Sequence, residues 1–391
     1  MSRISHKGHP LLDPERQRKA RKYEKEKRLL GLVQSLLSLF ILLGFYFSGW
    51  SYVLAHSSWL PSFILTFLFY VIFFQALLVL LGLPLHFYNS YVHEHKWGFS
   101  NHTLLSWMWD QAKSFLVSMV ILGILLSLLL WILEEFPSQW WLIAGMAMAL
   151  VSVIFSTLFP VVVLPVFNKY TPIQDKELTS ALDKILAKEG LKSSGFFKED
   201  TSRQTKKENA FLAGLGKTRR VVLSDNLMEN MSIPQIVSII AHEVGHHKYK
   251  HMWKHIALGT LQQLGVFYVL NLILQRIFPQ FLSSPQWNLT LFPIFLIIMG
   301  AISGFILGPL SQALSRFFEK QADHYALENI ENKRAFMTAL AGLADRNLSN
   351  AYPPWWVKWL YYSHPPVGER LQMSEEYLSH KEKSYPHPSQ Q

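Results

Sequence analysis

His242, Glu243 and His246 stand in the run Ala241-His242-Glu243-Val244-Gly245-His246-His247, a His-Glu-x-x-His pattern. On a helix, about 100° per residue puts positions four apart on one side, so the two imidazoles share a face. Imidazole nitrogens bind zinc at about 2.0–2.1 Å, and a single helical turn lets both reach one ion. Glu243 is rotated off that face, where a carboxylate can take a proton from water acidified by the metal. A later stretch reads Glu319-Lys320-Gln321-Ala322-Asp323. Glu319 is the candidate third ligand, leaving a fourth corner open for water. Asp323, one turn on, can accept a hydrogen bond from the outer nitrogen of a His ligand and fix its tautomer. The chain contains no cysteine, so thiolate sites and disulfides are excluded. Blander readings exist: sixteen histidines make chance pairs, and Glu319 and Asp323 would pair with Arg316 and Lys320 on an ordinary charged helix.

Three further groups could serve such a centre. His247, His251 and His255 also recur every four residues, but no Glu follows the first of them, and they read as a solvated or interfacial face. Asn209-Ala210-Phe211-Leu212, a Gly-containing turn at 213–216, and Arg220-Val221-Val222-Leu223 read as a β-hairpin. Its first strand could be an edge that binds a peptide by main-chain hydrogen bonds, or an ordinary hairpin strand. Ser363-His364-Pro365-Pro366 with Arg370 could support an oxyanion, or form a proline turn with an ion-paired Arg.

The elements that position these residues are set by apolar blocks. Of 391 residues, 50% are hydrophobic and 16% charged. Six blocks reach bilayer length, at 29–49, 60–87, 114–133, 141–167, 256–278 and 289–310. Trp50, Trp59, Trp131, Trp140, Trp141 and Trp287 flank them, as expected of interfacial aromatics. Pro160 and Pro165 are expected to kink the fourth. The basic segment before the first block is long and contains acids, unlike a cleavable signal. The net charge is +10, with much of the excess between Arg3 and Arg28. That placement marks the cytoplasmic side rather than a nucleic-acid partner. The loops 51–59, 134–135 and 279–288 carry no Lys or Arg, so six crossings put His242, Glu243, His246 and Glu319 on the cytoplasmic side. The expected division is a basic cytoplasmic arm (1–28), four membrane helices (29–167), a catalytic segment with the motif helix (168–255), two membrane helices (256–310), and a third-ligand helix with a cytoplasmic C-terminal part (311–391). Within the catalytic segment, Leu178, Leu182, Ile185 and Leu186 share a helix face that ends at Gly190, and Ser232-Ile233-Pro234 reads as the start of the motif helix.

At this point the chain resembles the integral-membrane zinc endopeptidases of the CAAX prenyl protease 1 type. The resemblance is carried by Trp97-Gly98-Phe99-Ser100, Phe159-Pro160, Pro165-Val166-Phe167-Asn168-Lys169-Tyr170-Thr171-Pro172, Asn209-Ala210-Phe211, Gly216-Lys217-Thr218-Arg219-Arg220, Val221-Val222-Leu223-Ser224-Asp225, the His-Glu helix, Glu319–Asp323 and Ser363-His364-Pro365-Pro366. It implies one zinc ion per chain on His242, His246 and Glu319, with Glu243 as base and Asp323 behind the ligands. It implies substrate or transition-state contacts at Asn209, Ala210, Phe211, His364 and Arg370. It also implies a mainly α polytopic fold, with six or seven membrane helices around an intramembrane chamber and a cytoplasmic zinc-peptidase domain holding a small β-sheet. The stretch 311–327 is the candidate seventh helix. A peptide or protein substrate and a lipid bilayer are the expected partners. The short loops are similar to those of bacterial relatives, so the expected location is a bacterial inner membrane, where no prenylated substrate is expected. Site-2-type membrane proteases share His-Glu-x-x-His but take an Asp ligand from an Asp-Gly-type motif absent here.

Overall fold

The computed structural model describes residues 8–214 and 219–384. Gly216, Lys217 and Thr218 of the resemblance, and part of the turn expected at 213–216, lie outside the described residues. Among those described, six helices are long and apolar enough to cross a membrane: Pro14–Phe47, Phe63–Lys96, Leu104–Glu135, Trp140–Phe167, His251–Ile277 and Phe292–Asn329. Each span packs against the next in sequence, and the sixth packs back on the first, so they close into a ring. Such a ring encloses a lumen rather than a packed centre. The burial agrees: in the most apolar window of the fourth span 0% of residues are buried, and in that of the first 6%. Interior packing concentrates at one end, around Tyr70, Phe74, Ile132, Trp140, Leu270 and Phe295. Trp140, expected at the membrane interface, is instead fully buried there, and its indole N–H donates to Asn271 Oδ1 at 2.6 Å. The reason is that a buried indole needs an acceptor, and Asn271 supplies one.

Several helices overrun the bilayer. The first has 34 residues, about 50 Å at 1.5 Å per residue against a hydrocarbon core of about 30 Å. Its surplus is the basic arm. From Pro14 the arm is helical and continuous with the span, and Asp13 caps it by accepting from the Glu15 and Arg16 N–H groups. It packs on the unit outside the spans: Gln17 Nε2 donates to Asp345 Oδ1 at 2.8 Å, and Lys207 Nζ donates to Tyr23 Oη at 2.8 Å. The sixth helix, 38 residues long, likewise continues past the membrane. The stretch 311–327 is therefore not a seventh crossing but the outer half of the sixth helix. The expected boundaries at 28 and 310 both fall inside continuous helices. Three spans pass through π-helical turns, at Tyr88–Val92, Phe159–Val163 and Ile302–Leu307. The second holds Pro160, where the missing N–H interrupts the α-helical ladder.

The unit outside the spans is a four-stranded sheet with helices on it. Strands β1 (Tyr170–Pro172), β2 (Phe196–Glu199), β3 (Ala210–Ala213) and β4 (Arg220–Ser224) lie in the order β1-β2-β4-β3. β3 and β4 form the expected antiparallel pair, with Ala210 opposite Leu223 and Leu212 opposite Val221, and β3 is an edge. Helix Lys176–Ala187 buries Leu178, Leu182, Ile185 and Leu186 against the sheet and the motif helix, and Gly190 (φ 63°) takes the left-handed turn beyond it. The motif helix, Ile233–Lys248, starts with a capping box between Ser232 and Gln235 and buries Ile236, Ile240, Ala241 and Val244.

Candidate metal centre

The motif helix carries His242 and His246 on one side, and the outer half of the sixth helix crosses it with Glu319 and Asp323. Their close approach depends on two small residues. A Cβ on Gly245 would stand 2.9 Å from Ala322 Cα and 3.1 Å from its carbonyl oxygen. Only glycine there, opposite alanine, lets the backbones meet.

The approach brings three ligand side chains together. His242 Nε2 lies 3.2 Å from His246 Nε2 and 3.2 Å from Glu319 Oε2, and His246 Nε2 lies 3.2 Å from Glu319 Oε1. Ligands about 2.0–2.1 Å from a tetrahedral ion stand about 3.3–3.4 Å apart. Each contact, with the two imidazoles meeting different oxygens of one carboxylate, is therefore close to the edge length of a zinc tetrahedron. Its chemistry fits as well. Glu319 Oε2 is buried and receives no hydrogen bond. His242 Nδ1 is 2.8 Å from Asp323 Oδ1, and the neutral tautomer with its proton on that side turns an Nε2 lone pair towards Glu319. Unshared pairs converging in a buried space call for a cation. Burial works against charge on His242, yet the Asp323 and Glu319 carboxylates beside it raise it to about 9.

Asp323 is completely buried and held from a third element. Arg370, on helix Val367–Ser384, donates from Nε to Asp323 Oδ2 at 2.8 Å and from a terminal nitrogen to Oδ1 at 2.5 Å. Two of its nitrogens are thus engaged away from any substrate, though the side chain also lines the cavity over the centre. Burial works against the guanidinium charge, but Asp323 holds it above its ordinary value.

That cavity has a volume of about 630 Å³ and is lined by Asn209, Ala210, His242, Glu243, His364 and Arg370 among others. Glu243 is half-buried, and burial pushes its carboxyl up. His364 Nε2 comes within 3.3 Å of Glu319 Oε1, and Ser363 Oγ is 2.8 Å from His364 Nδ1. A second cavity of about 520 Å³ opens on the other side of Glu243, lined by Leu212, Arg219, His246 and His247. β3 runs from one cavity to the other. Phe211 is not among the residues lining the first; it pairs with Val222 inside the sheet.

Two features lay outside the sequence reading. The first is a clamp on the start of β3: Arg346 donates to both carboxylate oxygens of buried Glu208, while Asn347 bonds the Glu208 main chain on both sides. Only a buried acid beside Asn209 could have hinted at it. The second concerns the His247, His251 and His255 stripe, which does not exist as one face. Lys250 adopts φ 54° and breaks the helix, and His251 is 1% exposed.

The chain is similar to known proteins along most of its length. Residues 3–169 match the family model described as CAAX prenyl protease N-terminal, five membrane helices. Among the described residues that stretch holds four of the six spans. Residues 172–377 match the model of peptidase family M48. The uncharacterized metalloprotease YhfN of Bacillus subtilis is 29% identical over 310 residues, covering 78% of this chain and 72% of that protein. CAAX prenyl protease 1 of Saccharomyces cerevisiae is 30% identical over 328 residues, covering 79% and 72%. The crystal structure of S. mikatae Ste24p superposes with a TM-score of 0.82 at 24% identity, over 95% of this chain and 92% of that one, which establishes a shared fold. With the family model spanning more than half the chain, the ring of spans and the His-His-Glu cluster identify a membrane metalloprotease that belongs to peptidase family M48.

Proposed function

We propose that the chain is an endopeptidase with one zinc ion held by His242, His246 and Glu319. The observation that carries this reading is the convergence of the two imidazole Nε2 atoms, 3.2 Å apart, on the Glu319 carboxylate, each 3.2 Å from one of its oxygens. Zinc supplies Lewis acidity to the scissile carbonyl and to the attacking water. Glu243 takes the proton from that water and returns it to the leaving amine. Its raised carboxyl pKa suits both halves of the exchange. Asp323 holds the His242 ring in the tautomer that leaves Nε2 free, and Arg370 holds Asp323. With Ser363 Oγ as donor in its 2.8 Å contact to His364 Nδ1, the imidazole proton is on Nε2, facing the reaction space. From there His364 donates to the developing oxyanion, with the Arg370 charge behind it.

The substrate lies along β3. Ser224 N–H donates to the Asn209 carbonyl at 2.9 Å. Antiparallel bonding alternates, so Phe211 and Ala213 also bond β4, while Ala210 and Leu212 present N–H and C=O to the free edge. Ala210 borders the first cavity and Leu212 the second, which supports a peptide paired across Glu243. Ala210 thus presents the free edge on the cavity side, between Asn209 and Phe211, which tie the strand to β4. The substrate is a peptide or protein reaching the centre through or beside the bilayer.

The test is Glu243→Gln in the purified full chain. We expect zinc to stay bound while hydrolysis of a quenched fluorogenic peptide is lost; turnover at the wild-type rate would refute the assignment.

We place the protein in a bacterial inner membrane, with the N-terminus and the centre in the cytoplasm. The basic arm and the opposite loops, which carry no Lys or Arg, support this orientation. The chain lacks cysteine, so single replacements report cleanly. An impermeant maleimide added to intact cells should label Ser58→Cys and spare Ser379→Cys. The reverse pattern would invert the topology.

A further inference from the structure

We propose that His251 and Gln321 form a positioning relay for the ligand His246, separate from the Asp323–Arg370 pair that serves His242. The inference rests on the zinc reading above.

It begins with a break in the chain. Residues five apart on an unbroken helix point about 140° away from each other. The left-handed turn at Lys250 ends the motif helix and lets the fifth span start at His251 in a new direction. His251 thereby folds back, and its Nδ1 comes 2.9 Å from His246 Nδ1. Its Nε2 stands 2.9 Å from Gln321 Oε1, two residues past Glu319 on the crossing helix.

Proton counting gives the direction. A neutral imidazole carries one N–H. Gln321 Oε1 only accepts, so the His251 proton is on Nε2 and His251 Nδ1 is an acceptor. His246 must then donate from Nδ1, which leaves its Nε2 with a lone pair facing His242 and Glu319. The relay thus selects the one His246 tautomer that can ligate. Among the described residues nothing else sets it: Asp323 is spent on His242 and Arg370. The His251 ring is itself fixed, stacked on Phe318 with centroids 4.5 Å apart and planes at 14°, and against Tyr249 at 5.7 Å.

The consequence is asymmetry. His242 donates to a carboxylate, and His246 donates to a neutral ring. His246 is therefore the less basic ligand, oriented by geometry more than by charge.

The test compares three substitutions in the purified full chain. His251→Phe keeps the stacked ring and removes the acceptor. His251→Asn restores an acceptor oxygen near the Nδ1 position. Gln321→Leu removes the far end of the relay. The readouts are zinc affinity by chelator competition, and the visible spectrum of the cobalt-substituted protein. We expect His251→Phe to weaken zinc binding about 10–100-fold and to alter the cobalt spectrum, with His251→Asn recovering most of both. Gln321→Leu should fall between wild type and His251→Phe. Wild-type affinity and an unchanged spectrum in His251→Phe would overturn the relay, as would equal loss in His251→Asn, which would make the site one of packing alone. A wild-type protein that binds no zinc would instead sink the metal assignment itself, and the relay with it.

Discussion

Gly245→Ala adds one methyl group where two helix backbones meet. The new Cβ would lie 2.9 Å from Ala322 Cα and 3.1 Å from Tyr325 Cβ. Ordinary carbon contacts are about 3.5–4.0 Å, so the helices must part by roughly 0.5–1 Å. Two effects on stability oppose each other. Alanine is favoured over glycine inside a helix by about 1 kcal/mol. Overpacking costs about 1–3 kcal/mol. The net change is small, about 0–2 kcal/mol destabilising. Catalysis has no such offset. The shift carries Glu319 away from both imidazoles, and a 1 Å misplacement costs about 100-fold in rate. The expected result is a kcat/KM reduced about 10–100-fold, with lowered zinc occupancy and a modest change in Tm. Gly259→Ala on the fifth span is the control, since nothing lies within 4 Å of its added Cβ. The assay is fluorogenic peptide hydrolysis with zinc analysis and thermal unfolding of the same preparations. Full activity and full zinc in Gly245→Ala would show that the helix approach does not set the ligand triangle, and the packing argument would fail.

Other outcomes follow from the same geometry. Asp323→Asn leaves the Arg370 charge without its buried partner, which costs about 3–5 kcal/mol, and weakens zinc binding about 10–100-fold; chelator competition alongside denaturant unfolding checks both, and wild-type values in both would contradict the clamp. Arg370→Lys should not rescue function, because an ammonium cannot reproduce the two-pronged contact. Leu212→Pro deletes a main-chain N–H on the free edge of β3 without touching the expected β3–β4 bonds, so KM should rise more than kcat falls; an unchanged KM would remove the edge from substrate binding. The acid limb of kcat/KM should lie above the usual glutamate value of about 4.3, because Glu243 works deprotonated, burial raises its pKa, and activity is lost as pH falls through that value. A limb at or below ordinary carboxylate pH would argue against Glu243 as the base.

What the sequence could determine was what repeats over short range. Six apolar blocks specify six spans because bilayer crossing is a matter of length and polarity. His242 and His246 share a face because a single helical turn separates them, and the β3–β4 hairpin is legible because its strands are near in sequence. Glu319 stood out as a candidate, but its distance from the imidazoles belongs to the packing of two helices at Gly245 and Ala322. The same holds for Arg370, which charge alone could assign to an oxyanion and which three-dimensional packing gives first to Asp323. The fate of 311–327 was undecidable from hydropathy, since a polar helix beyond a span reads alike whether it crosses again or simply continues. His251 was misread for the opposite reason. Periodicity assumed one helix through Lys250, and a single left-handed residue redirected every side chain after it. Local sequence sets which residues can share a turn of helix; the meeting of residues far apart in the chain depends on backbone direction and close contact, which no short pattern encodes.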